Sequence, residues 1–296
     1  MRGAEQGFLL LTSNLGNPDR KVLTTPQLRQ LAQRVRKMEM PEDRDLTRED
    51  LIKLGYGGEM AQRIVSLLDE EELLEYYLRK GAKAGCLPVT RVSAGYPHTL
   101  KQRLGLDAPG CLWAKGDLSL LGKPMIALVG SRDLREANQA FAYQVGLQAA
   151  RQGYVLVSGN ARGADRTAQD ACRNAGGQVI VVVADILCKK QAEDGVLYLS
   201  EDCYDASFTA QRALSRNRVI HAISDRVFVA QCTHGTGGTW DGTTKNLQAG
   251  WSGVFCFDDN SAAAAELIDR GAQPVFPEQL TQLGSLNVNR MNFFDQ

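Results

Sequence analysis

Six short apolar runs, rich in valine and isoleucine, alternate with helix-compatible segments between residues 125 and 257. The runs lie at 125–129, 154–157, 179–183, 196–199, 226–230 and 254–257. Segments 136–151, 164–175, 210–223 and 243–249, between most of these runs, are long enough for crossover helices. This repetition restricts the fold more than any other feature. Apolar runs without polar alternation belong to strands covered on both faces. Strands separated by helices pair in parallel, with helices on both sides of the sheet. The expectation is an α/β fold with a doubly wound, mainly parallel sheet. Ligands of such sheets sit at the carboxyl ends of the strands.

The first 95 residues read as a small helical domain. Thr25 and Pro26 suit the N-cap and first position of a helix. Leu28, Leu31, Val35 and Met38 follow at helical spacing. Residues 40–45 are polar, contain Pro41, and read as a connection. Thr47 with Asp50 forms an imperfect capping box for the next helix. A further helix is expected over 70–80, acidic at its start and ended by Gly81 and Gly85. The polar stretch 275–296 reads as a short C-terminal tail.

Four strand exits carry residues suited to phosphate. The first run ends in Gly130-Ser131-Arg132. Glycine lets a phosphate approach the backbone, and Ser131 and Arg132 supply donors; a plain turn is the alternative. The second ends in Ser158-Gly159-Asn160-Ala161-Arg162-Gly163-Ala164-Asp165. Asp165 suits either a helix cap or a ligand role. Arg212, Arg216, Asn217 and Arg218 fall at a helix start, where cations oppose the dipole unless an anion is near. That anion is a ligand phosphate or an acidic side chain. The last exit carries Gly237-Gly238-Thr239, which resembles a nest of N–H groups at a helix start. Trp240 beside it could stack on a base or simply pack.

Net charge narrows the ligand. Lys+Arg and Asp+Glu are equal at 34 each, which argues against a broad basic surface and leaves room for a local one. The seven cysteines are scattered without CxxC spacing, as free thiols in a reducing cytosol would be. Three separated histidines give no metal-binding spacing. The apolar run at 8–11 is too short for a signal core or a membrane span, so a cytoplasmic location is expected.

Taken in order, these pieces resemble the DNA-processing protein A (DprA/Smf) family. Gly-Ser-Arg, Ser-Gly-x-Ala-x-Gly-x-Asp, Gly176-Gly177, Ser200-Glu201, Arg-Asn-Arg and Gly-Gly-Thr follow one another as in that family. Tyr96-Pro97, Leu100, Ala108-Pro109, Leu112 and Gly116 resemble its lead-in. The resemblance covers about 96–272 and implies an extended Rossmann-like domain, set here at 96–274. Leu51-x-x-Leu54-Gly55-Tyr56-Gly57 with Ala61 and Ile64 resembles a helix-hairpin-helix element, which either binds a DNA phosphate or only packs. This chain departs from the family at Ala137-Asn138, Ala168-Gln169, Ile186-Leu187-Cys188 and Gln231, and no C-terminal winged helix is expected.

The resemblance implies single-stranded DNA binding, delivery to a RecA-type recombinase in transformation or recombination, a homodimer, and no cofactor or membrane. Gly130, Ser131, Arg132, Ser158, Gly159, Arg162, Arg212, Arg216, Asn217, Arg218, Gly237, Gly238 and Thr239 would contact the ligand or DNA phosphates. No catalytic constellation is evident, so the protein is expected not to be an enzyme. The alternative is a nucleotide sensor or a LOG-type nucleotide hydrolase, with a role in phage defence. Those hydrolases carry a glutamate three residues after the Gly-Gly-x-Gly-Thr threonine; Gly242 stands there, with Asp241 or Glu201 as substitutes.

Overall fold

A computed structural model describes residues 3–38 and 45–286 of the chain. The connection expected at 40–45 lies outside the described residues except for Asp45, as do residues 287–296 of the expected tail.

Five helices come first: α1 (Gly3–Thr12), α2 (Thr25–Val35), α3 (Arg48–Lys53), α4 (Gly58–Leu68) and α5 (Glu71–Lys83). Thr24, one residue earlier than expected, caps α2 in a full capping box with Gln27. Thr47 and Asp50 form the box of α3. Leu11, Leu31, Leu51, Ala61, Ile64 and Leu67 close a small core between these helices. The expected stop of α5 at Gly81 is incorrect, because the helix runs on to Lys83. Gly81 serves packing instead: a Cβ there would lie 2.9 Å from the Tyr204 ring.

The sheet follows: β1 (Leu87–Thr90), α6 (His98–Leu104), β2 (Cys111–Gly116), β3 (Met125–Val129), α7 (Glu136–Arg151), β4 (Val155–Ser158), α8 (Ala164–Asn174), β5 (Val179–Val182), β6 (Val196–Ser200), α9 (Ala210–Ile223), β7 (Arg226–Val229), α10 (Gly237–Ala249), β8 (Gly253–Phe257), α11 (Ala262–Asp269) and β9 (Gln273–Val275). Its order is β1-β2-β6-β5-β4-β3-β7-β8-β9. The pairs β1–β2 and β2–β6 are antiparallel; all other neighbours are parallel. The mainly parallel, doubly wound sheet is as expected. The edge strands β1, β2 and β9 lack a long valine-rich run and had not been expected. α10 begins at Gly237, six residues ahead of the expected helix start, because Gly237-Gly238-Thr239 is its first turn.

Strand side chains alternate between two cores. Ile126 and Leu128 of β3 face α7 and α8, where they meet Phe141, Val145 and Ala168. Ala127 and Val129 face α9, α10 and α11, against Val219, Ile220 and Leu267. The first core extends without a break to Leu9, Leu10 and Leu74 of α1 and α5 through Trp113 and Tyr204. Val275, Leu280 and Leu283 also belong to it, so the start of the expected tail packs into the core. No helix among the described residues is long and apolar enough to cross a membrane.

Candidate nucleic-acid interface

The winding of the sheet reverses between β3 and β7. From β3 the chain proceeds to β4, β5 and β6 on one side; from β7 it proceeds to β8 and β9 on the other. Loops leaving two such strands diverge and open a crevice at their carboxyl ends. A cleft of about 470 Å³ lies there. Its walls are residues 130–133 after β3, Ala161 and Asp165 beyond β4, parts of 232–239 after β7, and one face of α9.

Gln231 joins the two loops of the reversal. Its carbonyl accepts from Ser131 N–H at 2.8 Å. Its side-chain oxygen accepts from Arg135 N–H at 3.0 Å, and its amide donates to the Asp133 carbonyl at 3.1 Å. An amide can donate and accept together, which an ionised carboxylate cannot. Gln231 therefore holds the segment that presents Arg132. Arg132 is exposed and makes no ion pair among the described residues. A second hollow, of about 480 Å³, lies against its other side with Arg162 and Arg166.

Two opposite charges line the inner wall of the cleft, the buried Asp165 carboxyl and the partly buried Arg216 guanidinium. Asp165, in the first turn of α8, accepts from Gly159 N–H at 2.9 Å and Ala161 N–H at 3.2 Å. These bonds fold the loop after β4 back over its strand, with Asn160 in the left-handed region at φ 59°. Arg216 donates to the Val182 carbonyl at the end of β5, at 2.6 Å. Its guanidinium lies so close to Gly159 that a Cβ at that position would stand 1.8 Å from Nη1. Burial pushes the Asp165 carboxyl up and the Arg216 guanidinium down, and the opposite charge of each counters the shift in the other. No carboxylate forms an ion pair at contact distance with Arg216 among the described residues.

The start of α10 faces the same cleft. Its N-cap, Thr236, makes no side-chain capping bond, so the first-turn N–H groups are left for another partner. Thr239 Oγ1 donates to the Gly130 carbonyl at 3.0 Å, and Asn217 donates to the Gly238 carbonyl at 3.0 Å. Both side chains brace the loops. Gly130 has no room for a side chain: a Cβ would fall 2.4 Å from that of Ala164.

Gly130, Ser131, Arg132, Arg216, Asn217, Gly237, Gly238 and Thr239 thus meet at one cleft. The other expected contacts do not line it. Ser158 is fully buried and accepts from the Gln169 amide. Gly159 lies under Arg216. Arg162 pairs with Asp133 at 2.7 Å in the neighbouring hollow. Arg212 is held by Asp202 at 2.5 Å and by the Ser207 carbonyl. Arg218 is held by Glu201 at 2.6 Å and by the Asp107 carbonyl. Acidic residues following β6 therefore supply the anions that Arg212 and Arg218 required. Trp240 packs against His234 and Arg270, which answers the stacking question for that ring.

Several cleft residues carry no functional signal in the sequence, His221 and Phe208 among them. His221 is buried, and Asn246 donates to its Nδ1 at 3.1 Å. The Asn246 amide is oriented by Ser252, whose N–H reaches Oδ1. The proton is thereby assigned to Nε2. Burial holds this imidazole down to about 4, so it is neutral near pH 7. Phe208 lies in the loop before α9, four residues after Tyr204, with no periodic signal to mark it.

Residues 88–283 match the family described as DNA recombination-mediator protein A. The DNA processing protein DprA of Bacillus subtilis (strain 168) is 29% identical over 201 residues, covering 62% of this chain and 66% of that protein. Its namesake from Streptococcus pneumoniae (strain ATCC BAA-255 / R6) is 32% identical over 146 residues, covering 46% and 51%. The aligned part of the chain thus spans just under two thirds of the first relative and about half of the second. Among solved structures, DNA processing protein A from Streptococcus pneumoniae superposes with a TM-score of 0.61 at 24% identity, over 90% of this chain and 99% of that one. The protein of that name from Helicobacter pylori, solved for its single-stranded DNA binding mode, gives 0.56 at 24%, over 67% and 94%. The family match covers well over half of the sequence, and the chain is accordingly a member of the DNA recombination-mediator protein A family.

Proposed function

We propose that this protein binds single-stranded DNA through the cleft between β3 and β7 and delivers it to a RecA-type recombinase in DNA uptake or recombination. The observation that carries the binding is the position of Arg132. A guanidinium with no ion pair among the described residues stands between two hollows, beside a start of α10 that lacks a side-chain cap, at the carboxyl ends of the sheet. Guanidinium groups and free helix N–H groups both favour phosphate. A strand crossing Arg132 would reach Arg162 and Arg166 in the second hollow. The single-stranded DNA binding of the Helicobacter pylori protein supports the same ligand here. Delivery to a recombinase, and a homodimeric state, rest on family membership.

The proposal is for binding without cleavage. A glutamate at 242 would have to be accommodated where a Cβ already comes within 3.1 Å of His221 Nε2. Asp241 pairs with Lys245 at 2.8 Å, and Glu201 lies across α9 with Arg218. Neither carboxylate lines the cleft.

Fluorescence anisotropy with a labelled oligothymidylate over a salt series tests the reading. Affinity should fall with salt, and Arg132→Ala should flatten the log–log slope by about 0.7, the value for one phosphate of a single strand. Arg132 makes no ion pair at contact distance among the described residues, so its removal should leave the fold standing. If Arg132→Ala and Arg216→Ala both bind as the parent does, the cleft is not the DNA site. Thermal stabilisation by mononucleotides but not by oligonucleotides would favour the small-nucleotide reading.

A further inference from the structure

We infer that Asp259 is a positioning residue for the DNA site: buried at the exit of β8, it fixes the start of α7 and with it the aim of the loop that presents Arg132. The inference deepens the DNA-binding reading and rests on it.

The Asp259 side chain is 5% exposed, and three donors converge on it. The Arg135 guanidinium reaches Oδ2. The Asn138 amide donates to the same oxygen at 2.6 Å. The Ser261 N–H donates to Oδ1 at 3.0 Å. Burial pushes the Asp259 carboxyl up, but the bonds from Ser261, Asn138 and Arg135 outweigh it and hold the group below the usual carboxylate range. The acceptor at this point is therefore a charged one, and its bonds are of the stronger, charge-assisted kind.

Two of the donors belong to α7. Arg135 is its N-cap residue, three positions after Arg132. Asn138 is buried in the first turn and also donates to the Ala230 carbonyl at 2.7 Å, next to Gln231. Gln231 binds the backbone of 131–135 to the exit of β7. Asp259 binds the side chains at the start of α7 to the exit of β8. The loop is thus fastened across three strand ends, while the Arg132 side chain stays exposed for a ligand. A backbone fixed in advance lowers the cost of ordering that side chain on binding. Asp259 itself lines neither hollow beside Arg132, so its influence on a bound strand passes through the loop.

The test is oligothymidylate affinity by fluorescence anisotropy at fixed salt. Asp259→Asn keeps the shape and removes the charge; Arg135→Gln removes the partner, whose side chain is 54% exposed. Each should weaken binding by about two- to tenfold, the ordering cost of one long side chain. The two variants change the net charge in opposite directions. A plain effect of charge would have the first tighten binding and the second weaken it. Arg135→Lys, which keeps a cation for Asp259, should recover most of the parent affinity. Arg132→Ala should cost less in the Asp259→Asn background than in the parent, because a misdirected guanidinium has less to lose. A merely structural role would lower stability in urea and leave the two costs additive. If Asp259→Asn does not fold, Arg135→Gln carries the same comparison. Binding by the folded clamp variants as tight as that of the parent, or tighter, would overturn the inference and leave the DNA reading standing. So would an equal cost of Arg132→Ala in both backgrounds. Absent or salt-independent binding by the parent would sink the DNA reading first, and this inference with it.

Discussion

The guanidinium of Arg216 rests on the backbone of Gly159, where even a methyl group would stand 1.8 Å from Nη1. One residue from the β4 exit thereby sets the position of an arginine from α9. Gly159→Ala should displace Arg216 from the Val182 carbonyl and lower stability by about 1–3 kcal/mol, the usual cost of overpacking. Oligonucleotide affinity should fall with it, while Arg132 keeps part of the salt dependence. Urea unfolding and anisotropy on the same sample check both halves.

Arg218 stabilises a buried acid. The Glu201 side chain is 7% exposed and depends on Arg218 for its charged partner at 2.6 Å. Arg218→Ala should cost roughly 2–4 kcal/mol, because breaking such a pair leaves a buried charge. Adding Glu201→Gln should recover much of the loss. The salt slope of DNA binding should not change, since neither group lines the cleft. Thermal melts of the single and double variants, with a salt series on the double, decide this.

His221 makes stability depend on pH in a defined window. Its folded value is about 4, below the 6.5 of a free imidazole. Between these values the unfolded chain binds a proton that the native protein refuses. Stability should therefore fall as pH drops from about 6.5 through about 4, by up to an order of 3 kcal/mol from this residue. His221→Gln should reduce the slope over that range. Urea midpoints between pH 7 and pH 5 in the two proteins measure the difference.

Tyr77 ties α5 to the sheet. Its hydroxyl donates to Asp205 at 2.7 Å, and its ring stacks on Tyr204 and meets Trp113 edge-on. Tyr77→Phe should cost about 1 kcal/mol, the net value of one such hydrogen bond. Because α1 and α5 share a core with the sheet, unfolding should remain a single transition in both proteins. Coincident curves from far-ultraviolet circular dichroism and tryptophan fluorescence would show it.

The local pattern of the chain determined the strands from β3 to β8 and the glycine exits at 130, 159 and 237. Strand periodicity and turn chemistry act between near neighbours, so they are visible in sequence. The short edge strands were not, because β1, β2 and β9 are held by pairing with distant partners. The same limit governs the site. Gly130, Arg132 and Gly238 could be picked out as phosphate-compatible, but only the order β4-β3-β7-β8 placed their loops around one crevice. Arg212, Arg216 and Arg218 look alike in sequence. Tertiary structure separated them by setting Asp202 and Glu201 beside two of them and the Gly159 backbone beneath the third. Charge pairing depends on distance in space, and that distance was fixed by how β6 and α9 pack. For the same reason the sequence carries no sign that Phe208, in the connection between β6 and α9, lines the cleft.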